Sequence, residues 1–362
     1  MRDEELDRAL DAGLDRLADV PDMTESAFQS GRARLFAAMS ESTTTPEDEL
    51  TITQDAPAVT TEKSAPSRKP RRWLAAAAAV GVLTAGGLLS QAIGFDSAGE
   101  AHAEAVAKLN KAADLAAVNT DLQVGPGQYL YRALLFDGIS TYSEGTASHG
   151  AGIQETWIPG DRGADWLERR ADIGEPAWVP GLEGSGKPAG TPKGLLGEWR
   201  AKCGNFSYFA KGSERSCDKG DWYNPTPEFL ASLPKDPQQL YQRLVAEHPH
   251  GDAAVVTGVG SLLGTGRVPA DVRAALYRAL ALVPSMTTTA DVANLDGRKG
   301  TALGVRSGKE FREIIIDPAT GQYIGERSVV AEADGGLQPG TVRTSSALRT
   351  GVVADAGTPP AK

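Results

Sequence analysis

The chain lacks most of the residues from which familiar active sites are built. Its 362 residues hold four histidines and two cysteines, and contain neither an H-E-x-x-H nor a G-x-S-x-G. Zincin and α/β-hydrolase chemistry therefore have no frame to stand on. Residues 1–72 have no histidine or cysteine at all, which excludes a zinc-bearing Cys/His head there. Aromatics make up 6% of the chain. An excess of positive charge is also missing. The net charge is −10, and residues 1–72 and 96–362 each contribute about −5. Nucleic-acid binding thus loses its electrostatic footprint.

Two glycine-rich stretches come close to nucleotide-binding motifs. Gly181 to Pro188 reads G-x-x-x-x-G-K, but Pro188 stands where a phosphate-binding loop needs Ser or Thr to hold magnesium and begin a helix. Gly258-Val259-Gly260 lacks the third glycine of a dinucleotide fingerprint, and reads instead as a helix of small residues. No cofactor is expected. His248 and His250 flank Pro249 beside Glu247 and Asp252. That group reads either as a weak metal site or as a polar helix terminus, and no metal ligand is assigned. Paired acids abound, yet none stands out as an acid and base, so no catalytic residue is assigned and an envelope hydrolase is the least favoured reading.

What the chain does have is one long uncharged run. Trp73 to Phe95 is 23 residues without a charge, preceded by Arg68, Lys69, Arg71 and Arg72 and followed by Asp96. As a helix it would span roughly 34 Å, enough to cross a hydrocarbon core. The basic flank places residues 1–72 in the cytoplasm and the rest outside the cell membrane. A buried alanine-rich helix and a cleaved segment ending at Ala101-His102-Ala103 are the alternatives. Residues 1–39 read as a helical head, with Leu6, Leu10, Leu14 and Leu17 at helical spacing. Residues 40–72 form a Ser/Thr/Pro-rich linker expected to be disordered.

Residues 96–353 read as one α+β domain. An alanine-rich helix over Ser97 to Val118 precedes strands at Gln128–Phe136, Gly152–Ile158 and Ala164–Arg170. Residues 171–200 read as a loop, and Phe206–Ala210 as a short strand. Helices follow at Asp236–Ala246, Asp252–Leu263 and Ala270–Val283. Strands return at Thr287–Leu295, Thr301–Val305, Phe311–Ile316, Gln322–Val330 and Val342–Val353. Asp296-Gly297 signals a type I′ hairpin, and Asp317 to Gly321 a second turn. This order fits a curved antiparallel sheet packed on helices. Residues 354–362 read as a disordered tail. In an oxidising compartment Cys203 and Cys217 are expected to form a disulfide closing a loop of about 15 residues.

The segments GPGQYLYRA (125–133), TWIP (156–159), DWLERR (165–170), SLPKDPQQL (232–240), VRAALYRALALVP (272–284), NLDGRKG (294–300) and IIIDPATGQYIGER (314–327) together resemble an uncharacterised family of actinobacterial single-pass membrane proteins. Their genes often neighbour extracytoplasmic-function sigma factors. The outer domain also resembles the half-barrel of lipoprotein carriers and sigma-factor regulators. The resemblance implies an apolar cavity for a lipid, lipoprotein or envelope peptide, and a cytoplasmic head that binds a sigma factor. Tyr129, Tyr131, Leu276, Tyr277 and Leu280 are the expected lining of that cavity, with ordinary core packing as the alternative.

Overall fold

The computed structural model describes residues 97–142, 145–206 and 217–361. The expected head (1–39), linker (40–72) and membrane helix (73–95) lie outside the described residues, as does most of the short strand Phe206–Ala210. No helix among the described residues is long and apolar enough to cross a membrane.

Helix α1 (Ser97–Ala117) is followed by β1 (Tyr129–Thr141), β2 (Ala147–Pro159), β3 (Asp165–Asp172), the two-residue β4 (Ala177–Trp178) and β5 (Gly197–Lys202). Four helices come next: α2 (Pro227–Ser232), α3 (Pro237–Glu247), α4 (Asp252–Leu263) and α5 (Ala270–Leu280). The chain ends in a meander of β6 (Thr287–Ala293), β7 (Lys299–Ser307), β8 (Glu310–Ile316), β9 (Tyr323–Val330) and β10 (Val342–Val353). All strand pairs are antiparallel, in the order β5-β3-β2-β1-β10-β9-β8-β7-β6, with β4 added to β2. The α+β class with a large antiparallel sheet is as the sequence implies.

This order forces the position of the helices. β5 and β6 are the two edges of the sheet, and the chain between them carries α2 to α5. To get from one edge to the other those helices must cross a face. They do so over β7 to β10, where Leu303, Val305, Ile314, Ile316, Tyr323 and Leu348 join the helical side chains in the main core. Period-two spacing within β7 and β8 puts these residues on one face. Each helix start has a local cause. Asp236 accepts the Gln239 N–H at 2.9 Å ahead of Pro237, and Thr226 accepts the Phe229 N–H at 3.1 Å ahead of Pro227. Gly260 lets α4 lie close on the sheet, since a β-carbon there would sit 3.3 Å from Ile314 Cγ2.

The opposite face is covered differently. Tyr131, Ala133, Trp157 and Leu167 form a smaller buried group. The C-terminal segment, read as a disordered tail, lies against it. Trp157 Nε1 donates to the Thr358 carbonyl at 2.9 Å, Arg169 donates to the Gly357 carbonyl, and Ala356 packs on the group. A buried indole N–H needs an acceptor, and the tail supplies one.

Three local expectations are corrected. The 171–200 loop contains β4 and the edge strand β5, whose sequence GEWRAK is too charged to signal a strand; such charge is usual on an exposed edge. The short helix α2 was not anticipated, although Thr226-Pro227 is its signature. The Asp296-Gly297 hairpin is not type I′. Its loop runs from Asn294 to Arg298 between the pair Ala293↔Lys299, and only Gly297 has positive φ, at 77°. The Asn294 side chain accepts from Asp296 N and Arg298 N, which favours this wider loop.

Cys203 and Cys217 are bonded, with Cα atoms 5.4 Å apart. Replacing both by serine is expected to lower unfolding stability by about 3 kcal/mol, the chain-entropy value for a loop of this size. Chemical denaturation of the oxidised and mutant proteins checks it.

His248 ends α3 with its ring 5.3 Å from that of Trp222 and its Nε2 buried with no partner among the described residues. Burial pushes its pKa down from the usual 6.5, against a smaller upward pull from Glu247. The unfolded chain therefore takes up a proton more readily than the fold does. Stability is expected to be complete above about pH 6.5 and to fall as pH drops below it. Denaturation curves between pH 7.5 and 5.5 should show this slope, and a His248→Phe variant should lose it.

Candidate functional site

The five residues expected to line one cavity are split between two faces. Leu276, Tyr277 and Leu280 are fully buried among the helices. Tyr131 is buried on the opposite face, its hydroxyl donating to Glu155 at 2.7 Å, and Tyr129 packs beside it. None of the five lines any of the three cavities described below. The cause is sheet alternation: odd-numbered side chains of β1 point away from the helices, while α5 turns its apolar stripe inward.

The structure opens a large cavity elsewhere, where β9 and β10 part. β10 pairs with β1 over ten residues, from Tyr129↔Val353 to Gly138↔Thr344. With β9 it pairs at only three, Val342↔Val329, Thr344↔Ser328 and Ser345↔Arg327. Beyond that point Ser346 takes over. Its hydroxyl accepts from Glu326 N at 3.0 Å and donates to the Glu326 carbonyl at 3.4 Å, while its own carbonyl accepts from Leu295 N in the β6–β7 loop. Gly325, at φ 151°, makes the crossing possible: a β-carbon there would lie 2.3 Å from the Ser346 carbonyl oxygen. Past Ser346 the two strands share no further pairs.

The space in this fork is about 890 Å³, at the upper end of small-molecule sites. Its apolar part comes from Leu130, Ile158, Leu263, Val268 and Leu348. One wall is the irregular strap Thr120–Val124 that joins α1 to β1, and another is the α4–α5 loop around Gly266. Six ionisable side chains other than tyrosine line it: Arg267, Arg273, Arg298 and Arg349 against Asp121 and Asp296. In a chain of net charge −10 this is a local reversal of sign.

Each arginine is positioned. Arg273, only 7% exposed, donates to the Val268 carbonyl at 2.9 Å and pairs with Asp121 at 3.4 Å. Its Nε has no partner among the described residues. Asp121 also accepts the Ala270 N–H at 2.8 Å, tying the strap to the start of α5. Arg349 pairs with Asp296, and that carboxylate holds the guanidinium pKa above its usual value, against an opposing effect of burial. Arg298 pairs with Asp317 at 3.0 Å, and Arg267 donates to Asn224 and lies 4.8 Å over the Trp166 ring.

Two smaller cavities flank Glu326, of about 470 and 310 Å³. Burial pushes the Glu326 carboxyl pKa up, partly offset by the Tyr323 hydroxyl and the Arg312 charge.

The other sequence features resolve into structure. No helix begins at Gly186, and Lys187 pairs with Glu175 on the surface, so the Gly181–Pro188 loop has no helix terminus for a phosphate. Glu247 is taken by Trp222 and Arg243, and Asp252 by Ser285, which makes the His248 region a polar helix terminus. Among the described residues no group of three or more His, Cys, Asp or Glu is placed to hold a metal ion. Sequence reading missed the cationic lining because its arginines are scattered from 267 to 349 and meet only through the fork. Comparison with protein-family models, curated proteins and solved structures finds no match.

If Ser346 holds the fork in place of strand pairing, Ser346→Ala removes both of its bonds to Glu326. The expected cost is about 1–2 kcal/mol in unfolding stability. Denaturation of the variant measures it; an unchanged midpoint would show that the fork is held by something else.

Proposed function

We propose that the chain is a single-pass membrane protein whose outer α+β domain binds a ligand in the β9–β10 fork. The observation that carries this reading is the cavity itself: a large space with an apolar floor and a cationic lining, bounded by the strap that leads back through α1 towards the uncharged run Trp73–Phe95. Burying apolar ligand surface there would contribute about 25 cal/mol per Å².

Two further observations support the outer placement. The only cysteines in the chain are bonded to each other, as an oxidising compartment favours. The basic residues Arg68 to Arg72 lie on the N-terminal side of the run, the side that stays in the cytoplasm. On this reading residues 1–39 face the cytoplasm, where a sigma factor or another regulator is the partner they would meet, and occupancy of the outer cavity is what the protein senses.

A periplasm-type reporter, such as alkaline phosphatase, fused after Lys362 is expected to be active, and the same enzyme fused before Met1 inactive. The full chain should leave the membrane fraction only with detergent. Activity of the N-terminal fusion alone, or a chain soluble without detergent, would end this reading.

A further inference from the structure

We propose that the fork cavity takes an anionic amphiphile, its carboxylate or phosphate head held by Arg273 and Arg298 and its apolar chain laid on Leu130, Ile158, Leu263 and Leu348. The inference rests on the preceding reading of the fork as a ligand site and adds the chemical class of the ligand.

Three observations converge on it. The first is the charge of the lining, four arginines against two aspartates in a chain that is acidic overall. The second is the state of Arg273. A guanidinium presents five N–H donors and is never deprotonated in a protein. Arg273 is more than nine-tenths buried, makes one bond to a backbone carbonyl and one longer contact with Asp121, and leaves Nε–H without a partner among the described residues. The Nε itself is closed to solvent, so an anion in the cavity would meet this guanidinium at its terminal nitrogens, adding to the long Asp121 contact. The third is the division of the surface: hydrocarbon side chains line part of the wall, and Arg298, half exposed, stands among the charged lining residues. A free inorganic anion would leave the apolar part unused. A neutral lipid would leave the cationic lining without a counter-charge. A molecule with both ends answers both.

Arg273 and Arg298 differ in what they risk. Arg273 also holds the Val268 carbonyl and the strap through Asp121, so its removal bears on the α4–α5 loop. Arg298 sits on the β6–β7 loop, is half exposed and pairs with Asp317, so its removal leaves the main core untouched.

The test is equilibrium dialysis of the full-length chain in phosphatidylcholine nanodiscs, with radiolabelled hexyl phosphate, hexanoate, hexanol, hexylamine and inorganic phosphate, each read against empty nanodiscs. Hexyl phosphate and hexanoate are expected to bind at least about ten-fold more tightly than hexanol or hexylamine, the difference a charge-assisted hydrogen bond to a buried guanidinium makes. Inorganic phosphate alone should bind at least about ten-fold more weakly than hexyl phosphate. Arg273→Met and Arg298→Met should each reduce hexyl phosphate binding with little change for hexanol, and Arg273→Lys should restore part of it; circular dichroism confirms that each variant is folded. Hexanol binding as tightly as hexyl phosphate would overturn the anionic head while leaving the fork a ligand site. Inorganic phosphate binding as tightly as hexyl phosphate would overturn the amphiphile class. Failure of every probe would overturn the proposal and remove the ligand site with it.

Discussion

β10 has to serve two neighbours, and it cannot match both along its whole length. Against β1 it keeps ten consecutive pairs in register. Against β9 it keeps three, with a shift between Val342 and Thr344. Twisted strands part when one of them follows a different neighbour. The consequence is the fork. Main-chain pairing is replaced by the Ser346 hydroxyl, the β6–β7 loop reaches across to Ser346, and a cavity of about 890 Å³ opens beside β10.

The same topology brings distant parts of the chain to that cavity. Because β5 and β6 are opposite edges, the helices must cross the sheet, and the loop between α4 and α5 arrives at the fork with Arg267 while α5 brings Arg273. Arg132 on β1 fastens this loop by donating to the Gly264 carbonyl at 2.7 Å. α1 packs on α5, where Arg278 pairs with Asp114 at 2.8 Å, and Asn119 donates to the Thr320 carbonyl in the β8–β9 turn. The strap from α1 to β1 is therefore a wall of the cavity and the continuation of the helix nearest the uncharged run. A ligand contacting Thr120–Val124 would act on that helix through covalent chain.

Much of this fold was legible in the residues. The amphipathic spacing of Val272, Ala275, Leu276 and Ala279, with Pro269 before and Pro284 after, marks α5, though Leu282, read as part of the same stripe, lies past the helix end and is exposed; α4 and β10 follow their sequence limits. The disulfide could be read from two cysteines in a chain that has no others. The edge strand β5 could not, because an exposed strand carries charge and gives little alternation. The candidate site was not legible either. Aromatic residues of β1 looked like cavity lining, but their parity places Tyr131 on the face that the C-terminal segment covers. The residues that do line the fork, such as Arg273 and Leu348, are 75 positions apart and meet only because β10 leaves β9 after Ser345. Register between non-adjacent segments is a property of the whole sheet, and no local pattern encodes it.

Hydrogen exchange read by mass spectrometry on the full-length chain, with and without hexyl phosphate, addresses the fork as the ligand site most directly. Slower exchange is expected in three separated segments, residues 119–128, 264–269 and 347–350, with no change in β3 or in the β7–β8 hairpin. Protection confined to the surfaces beside Glu326, or no protection anywhere at a saturating concentration, would contradict the account.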